Sequence, residues 1–290
     1  MITGVINLLK PPGMTSHDAV SFIRRTYGQK QVGHAGTLDP AAAGVLPIFL
    51  GKATRLVEYL TDDDKQYRAE LRFGQETDSG DYTGSVTRTS DNIPSPEVVC
   101  HVLNSFLGQS QQIPPMYSAI KVDGRKLYEL ARQGIVLERK ARSITIHSIS
   151  LLQMEGQNAL FDVSCTKGTY IRSLCSDIGV RCGSAATMTF LLRTGVGCFS
   201  LQNAVSLEEI AHAPEQVVLP ADSALIRMPS ITLSHADTTK FLTGQKTYLQ
   251  EAAMQPKFKV YSSDNTFIGI GGTCGELLVP QKVLPPEVSM

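Results

Sequence analysis

SITIHSISLLQMEGQNALFDVSCTKGTYIRSLCSDIGVRCG, residues 143–183, sets two runs of alternating apolar and polar residues ahead of a stretch with helical spacing. SITIHSISLLQME and NALFDVSCTKG read as paired strands, and GTYIRSLCSDIGVRCG reads as a helix opened by Gly168-Thr169. Working outward, KQYRAELRFGQETD (65–78) alternates around Tyr67, Ala69, Leu71 and Phe73, as a half-buried strand does. SPEVVCHVLNSFLG (95–108) is helical, with Ser95 as N-cap, Glu97 in its first turn and Gly108 as the stop, and RKLYELARQG (125–134) predicts a short helix. Near the N-terminus GVINLL predicts a strand that Lys10-Pro11-Pro12-Gly13 ends. AVSFIRRTYG then predicts a helix capped by Ser16 and stopped at Gly28. VLPIFLG (45–51) fits a buried strand or a short helix, and ATRLVEYLT (53–61) is helical. Strands and helices mix without a regular βαβ beat, which predicts an α+β fold.

At 290 residues the chain suits one large domain and one small one. The texture changes after residue 226, where short strands are punctuated by Gly, Asp-Asn and Pro, so a compact β-rich module is expected at 227–290. Its GIGGTCG is no dinucleotide fingerprint, because the glycine spacing is wrong and no long helix follows. No apolar stretch approaches the roughly 20 residues that span a bilayer, and MITGVINLLKPPG lacks the form of a signal peptide. A cytoplasmic protein is expected. The cysteines at 100, 165, 175, 182, 198 and 274 form no CxxC pair and have no histidine at ligand spacing, so reduced, buried thiols and no metal site are expected.

Charge balances at 27 basic against 27 acidic residues, which by itself disfavours a polyanion partner. Distribution qualifies that. Residues 121–142 carry seven Lys/Arg against three Asp/Glu, and 165–195 carry four against one. These are either solvated faces or two basic strips suited to a polyanion held in a groove.

GHAGTLDPAAAGVLPI (33–48) gathers His34, Thr37 and Asp39 among glycines. Pro40 pushes Asp39 out of helical backbone, so the acid is either a turn or cap residue or a chemical group. Two other stretches bear on the choice: Tyr170 and Arg172 follow a glycine turn, and Tyr67 sits on an alternating strand. A carboxylate nucleophile must stay ionised where burial would protonate it, and an adjacent arginine lowers its pKa by about one to three units. An aromatic ring beside it gives a planar substrate a stacking surface. No Ser-His-Asp order or GxSxG elbow supplies a rival nucleophile.

KPPGMTSHDAV (10–20), GHAGTLDPAAAGVLPI (33–48), YRAELRFGQETDSGD (67–81), PPMYSAIKVDGRKLYELARQG (114–134) and KGTYIRSL (167–174) occur in the order seen in the bacterial tRNA pseudouridine-55 synthases, and the chain resembles that TruB family. The resemblance implies a pseudouridine-synthase fold: a mixed, mainly antiparallel sheet flanked by helices over residues 1–226, with an RNA-gripping insertion at about 114–142. It also implies a small β-rich, PUA-like RNA-binding domain at 227–290. The implied reaction isomerises one uridine in the T-loop of tRNA. The base is detached, turned and reattached through carbon, with no metal or organic cofactor, by a monomer whose partner is the tRNA T-arm. Asp39 matches the attacking aspartate, Arg172 its charge partner, and Tyr67 the residue that stacks on the target base. His34 would fill the space left by the flipped nucleotide, Tyr170 and Leu191 would line the pocket, and Lys10 would lie near the RNA. Tyr117 falls in the insertion's motif, and Lys121, Arg125 and Lys126 would contact phosphates. Flipping a base costs a few kcal/mol, and stacking worth about 1–3 kcal/mol per base offsets much of that. One departure is Leu9, where family members often have an acid before the lysine. The alternatives are a non-catalytic RNA-binding or tRNA-folding protein using the same groove and, last, a small-molecule hydrolase; the Asp39, Tyr67 and Arg172 set favours the enzyme.

Overall fold

A computed structural model describes residues 1–122, 124–248 and 256–286. In chain order the elements are β1 (Gly4–Lys10), α1 (Ser16–Thr26), β2 (Val32–His34), β3 (Ala43–Leu50), α2 (Val57–Thr61), β4 (Lys65–Phe73), β5 (Gln75–Thr77), β6 (Val86–Thr89), α3 (Pro96–Asn104) and β7 (Gly108–Gln112). They continue with β8 (Lys121–Val122), β9 (Arg125–Lys126), α4 (Leu127–Ala131), β10 (Arg142–Glu155), β11 (Asn158–Cys165), α5 (Ile171–Arg181), β12 (Ala186–Val196) and β13 (Phe199–Ser200). Last come α6 (Leu207–His212), β14 (Ser230–Thr232), α7 (His235–Leu242), β15 (Thr247–Tyr248), β16 (Lys257–Tyr261), β17 (Phe267–Cys274) and β18 (Leu277–Val283). The α+β expectation holds. Two compact units result, one of residues 1–40, 45–61 and 197–290, the other of 41–44 and 62–196.

In the first unit β1 lies beside β3, and β2 returns antiparallel onto β3 with His34 opposite Ile48. Helix α1 covers these strands with Ala19, Val20 and Ile23, packed on Ile6, Leu8, Leu46 and Ile48. Each such fully buried aliphatic side chain contributes about 1.5–3 kcal/mol relative to exposure. The helix starts with a capping box: Thr15 Oγ1 accepts from the Asp18 N–H and the Asp18 carboxylate accepts from the Thr15 N–H, both at 3.0 Å. Thr15, not Ser16, is therefore the cap; Ser16 is the first helical residue.

The C-terminal part of this unit forms its own five-stranded sheet, in the order β14-β16-β17-β18-β15. It closes over Phe241, Phe258, Val260, Ile268 and Leu278. Gly269 and Gly271 do not break β17. They let β18 approach, since a Cβ on Gly269 (φ +142°) would lie 1.9 Å from the Lys282 carbonyl oxygen. This module docks on the segment after β3: Lys282 pairs with Glu58 at 2.6 Å, Arg55 donates to the Val283 carbonyl at 2.6 Å, and Lys257 lies over the Tyr59 ring. A cleft of about 630 Å³ opens beside Asp222, Ser230, Tyr261 and Phe267, and none of the sequence-predicted site residues lines it.

In the second unit the strand order is β12-β4-β11-β10-β7, with antiparallel neighbours throughout. Ala43 and Gly44 add to it in parallel, opposite Leu192 and Arg193. Strand β4 is central, and Ala69, Leu71 and Phe73 point into the core as its alternation predicts. Helix α5 packs on β12 and α3 on β10. The ends of the predicted 125–134 helix change: Arg125 and Lys126 pair back on Lys121 and Val122 as a hairpin, so α4 keeps only five residues. The cysteine expectation is corrected in part. Cys165, Cys175 and Cys182 are buried, but Cys100, Cys198 and Cys274 are exposed.

Candidate functional site

Asp39 caps nothing. Residues 35–42 are irregular and lead into strand β3, so no helix begins there to need a cap. Its backbone neighbours are tied down instead. The Ser16 hydroxyl donates to the Leu38 carbonyl at 3.0 Å and accepts from the Leu38 N–H at 2.9 Å. On the other side the Pro40 carbonyl accepts from the Gly13 N–H at 2.8 Å. The half-buried Asp39 carboxyl is thus carried on a turn braced by residues 10–16.

Lys10 belongs to that brace. The resemblance places it near the RNA, but the structure buries it completely. Its ammonium donates to the carbonyls of Pro11 and Met14, each at 2.7 Å, and reaches Pro40 at 3.4 Å. A buried cation needs such acceptors, and these hold its ammonium inside the loop. His34, half-buried, ends β2 just before the turn.

The second unit carries the other predicted residues. Tyr67 lies on β4 opposite Arg193 of β12, and Leu191 lies opposite Ala69. Directly paired residues share a face, so Tyr67 and Leu191 project on the same side of the sheet. Tyr170 ends the loop before α5, where the buried Gln112 side chain receives the Tyr170 N–H at 2.8 Å and donates to its carbonyl at 3.0 Å. Arg172 follows in the first turn of α5, 5% exposed. Its guanidinium donates to the Ser79 carbonyl at 3.0 Å and the Tyr117 carbonyl at 2.7 Å, and its Nε lies 3.9 Å from the Asp81 carboxylate. The other Asp81 oxygen accepts from Ser79, from the Thr83 hydroxyl and from the Thr83 N–H at 2.9, 2.5 and 3.0 Å. A guanidinium fixed by two carbonyls keeps one orientation.

Sequence reading misses Asp81, Gln112, Lys65 and Arg193. Asp81 sits in the quoted SGD turn without any spacing that links it to Arg172. Lys65 and Arg193 are buried cations at the Tyr67 end of β4. Burial, and next the Arg193 charge, pulls the Lys65 ammonium below its ordinary range.

The insertion has a small core of its own, where Leu127 and Leu130 of α4 pack on Met116. That core sets the course of Tyr117, whose carbonyl Arg172 holds. Lys121 and Arg125 stand exposed on the hairpin, and Lys126 and Arg132 lie over the Tyr128 ring at 5.5 and 5.4 Å. Charge here is therefore displayed on a folded support. No group of three or more His, Cys, Asp or Glu among the described residues could hold a metal ion.

Comparison with known proteins gives a consistent picture. The family model described as TruB family pseudouridylate synthase (N-terminal domain) matches residues 24–171. The tRNA pseudouridylate synthase B C-terminal domain matches 172–226, and the model for pseudouridine synthase II TruB, C-terminal, matches 229–284. A tRNA pseudouridine synthase B of Caldanaerobacter subterraneus is 43% identical, covering 97% of this chain and 99% of that protein. One from Alkaliphilus oremlandii is 47% identical over 85% of this chain and 83% of its own. Among solved structures, an H/ACA ribonucleoprotein bound to a substrate RNA containing 2'-deoxyuridine shares the fold, with TM-score 0.76 and 24% identity over 98% of this chain and 85% of that chain. A Cbf5-Nop10-Gar1 complex aligns with TM-score 0.75 and 26% identity over the same shares.

Proposed function

The chain belongs to the TruB family of pseudouridine synthases, and from that premise we propose that it isomerises uridine 55 in the T-loop of tRNA to pseudouridine. Asp39 is the attacking carboxylate in this reading, and Arg172 keeps it ionised. Tyr67 stacks on the extruded base, Tyr170 and Leu191 line its pocket, and His34 occupies the space that the base leaves. Substrate and product contain the same atoms, so the reaction needs no redox partner or group donor. The protein supplies electrostatics, a surface for the flipped base and a fixed geometry. Lys121, Arg125 and Lys126 grip phosphates without reading sequence. The division at 226/227 into a catalytic domain and a PUA-like RNA-binding domain belongs to the same proposal, supported by the separate C-terminal sheet.

The observation that carries this reading is the Asp39 turn: an acid with no helix to cap, its two backbone neighbours held by hydrogen bonds, within a motif that matches the family's. The test is to incubate native protein and Asp39→Ala with unmodified tRNA and assay pseudouridine in the T-loop. Native protein converts one uridine per tRNA, whereas Asp39→Ala converts none and still binds tRNA. Full activity in the variant would refute the role given to Asp39.

A further inference from the structure

We propose that Ser16 is a positioning residue for Asp39, acting through the backbone of Leu38. This rests on the reading of Asp39 as the reacting carboxylate. The Ser16 side chain has no duty at the helix terminus, because Thr15 and Asp18 complete the capping box without it. It is 3% exposed and gives both of its hydrogen bonds to one residue 22 positions away, the residue immediately before Asp39. One hydroxyl thus satisfies the N–H and the C=O of Leu38 together. With the Gly13–Pro40 bond, the chain is held immediately before and after the carboxylate by residues 13–16.

Alanine at 16 would leave two buried backbone groups without partners, and the turn would shift to reach others. Displacement of a reacting group by about 1 Å costs on the order of 100-fold in rate. The effect belongs in the chemical step, because Ser16 is buried away from any ligand.

The experiment compares native protein, Asp39→Ala, Ser16→Ala, Ser16→Thr and Thr15→Ala by single-turnover pseudouridine formation at saturating enzyme, with tRNA affinity measured separately. Ser16→Ala is expected to lower the saturated rate at least tenfold and to leave the Kd within threefold. Ser16→Thr, which keeps the hydroxyl, recovers most of the rate. Thr15→Ala weakens the start of the same helix but spares the Leu38 bonds, so its rate stays within twofold of native. A Ser16→Ala rate within twofold of native overturns the proposal, and so does an equal loss in Thr15→Ala, which would reduce Ser16 to a helix-stabilising residue. If Ser16→Ala does not fold, Ser16→Cys takes its place, with the same outcomes. An inactive native protein, or an active Asp39→Ala, removes the functional reading itself; an active native protein with inactive Asp39→Ala and unaffected Ser16→Ala removes only the role of Ser16.

Discussion

Gly44 shows what a single residue in the Asp39 motif does. It is held at φ +120°, a conformation L side chains rarely adopt, and a Cβ there would lie 2.2 Å from the Arg193 carbonyl oxygen. Only a glycine lets the first residues of β3 run beside β12. We predict that Gly44→Ala destabilises the protein by at least about 2 kcal/mol, combining backbone strain with steric overlap. Urea unfolding measures this, and a midpoint equal to that of native protein would show that the strands can separate without cost. The glycines of this motif are plain in the sequence, but the strand that Gly44 meets is not. Lys10 and Ser16 show the same limit. Each is written as an ordinary loop or cap residue; only folding reveals that Lys10 is buried on the carbonyls of its own loop and that Ser16 serves a turn 22 residues further along the chain.

The insertion at 114–142 shows how an element turns charge into a surface. Its excess of basic residues is plain in the sequence, but the sequence alone left open whether they were a solvated face or a grip. The hairpin of β8 and β9 projects Lys121 and Arg125 into solvent, and the Met116, Leu127 and Leu130 core gives them a fixed base. Charge reversal of Arg125 and Lys126 is expected to weaken tRNA binding and to flatten the salt slope by about one per lost phosphate contact. A titration of Kd against salt checks this, and an unchanged slope would take the hairpin out of the interface. Truncating Leu130 to Ala acts differently. It opens a cavity under α4, for which losses of about 2–5 kcal/mol are typical of buried leucines. Local melting of the insertion by hydrogen exchange, ahead of the β10–β11 ladder, is the outcome expected. Protection equal to that of native protein would show that the insertion does not depend on its core.

At the scale of the whole molecule, six cysteines report on packing. Three are exposed and three buried, so a thiol reagent at pH 8 is expected to label Cys100, Cys198 and Cys274 in native protein and all six after unfolding. Burial pushes the Cys165 thiol up to about 11 from 9.0, so the folded chain keeps a proton that the unfolded chain gives up in between. Its contribution to stability is therefore full below pH 9 and falls away as pH rises toward 11. Peptide mapping after alkylation follows this directly, and modification of Cys165 at pH 8 as fast as Cys100 would contradict the burial.

The alternation of β4, β10 and β11, the stops at glycine and proline and the texture change after 226 were determined locally, because strand period and turn chemistry are properties of neighbouring residues. The motif order pointed to the family for the same reason: each motif is a short run whose residues act together. Strand β12 carries no such local pattern, since its residues satisfy partners on β4 and β3. The tertiary structure also decided that Asp39 caps no helix, that Lys10 is buried and that Arg172 is held by Ser79, Asp81 and Tyr117. The Arg172 partners lie 55 to 93 residues away and meet it only through tertiary packing, and no spacing in the chain encodes such a meeting.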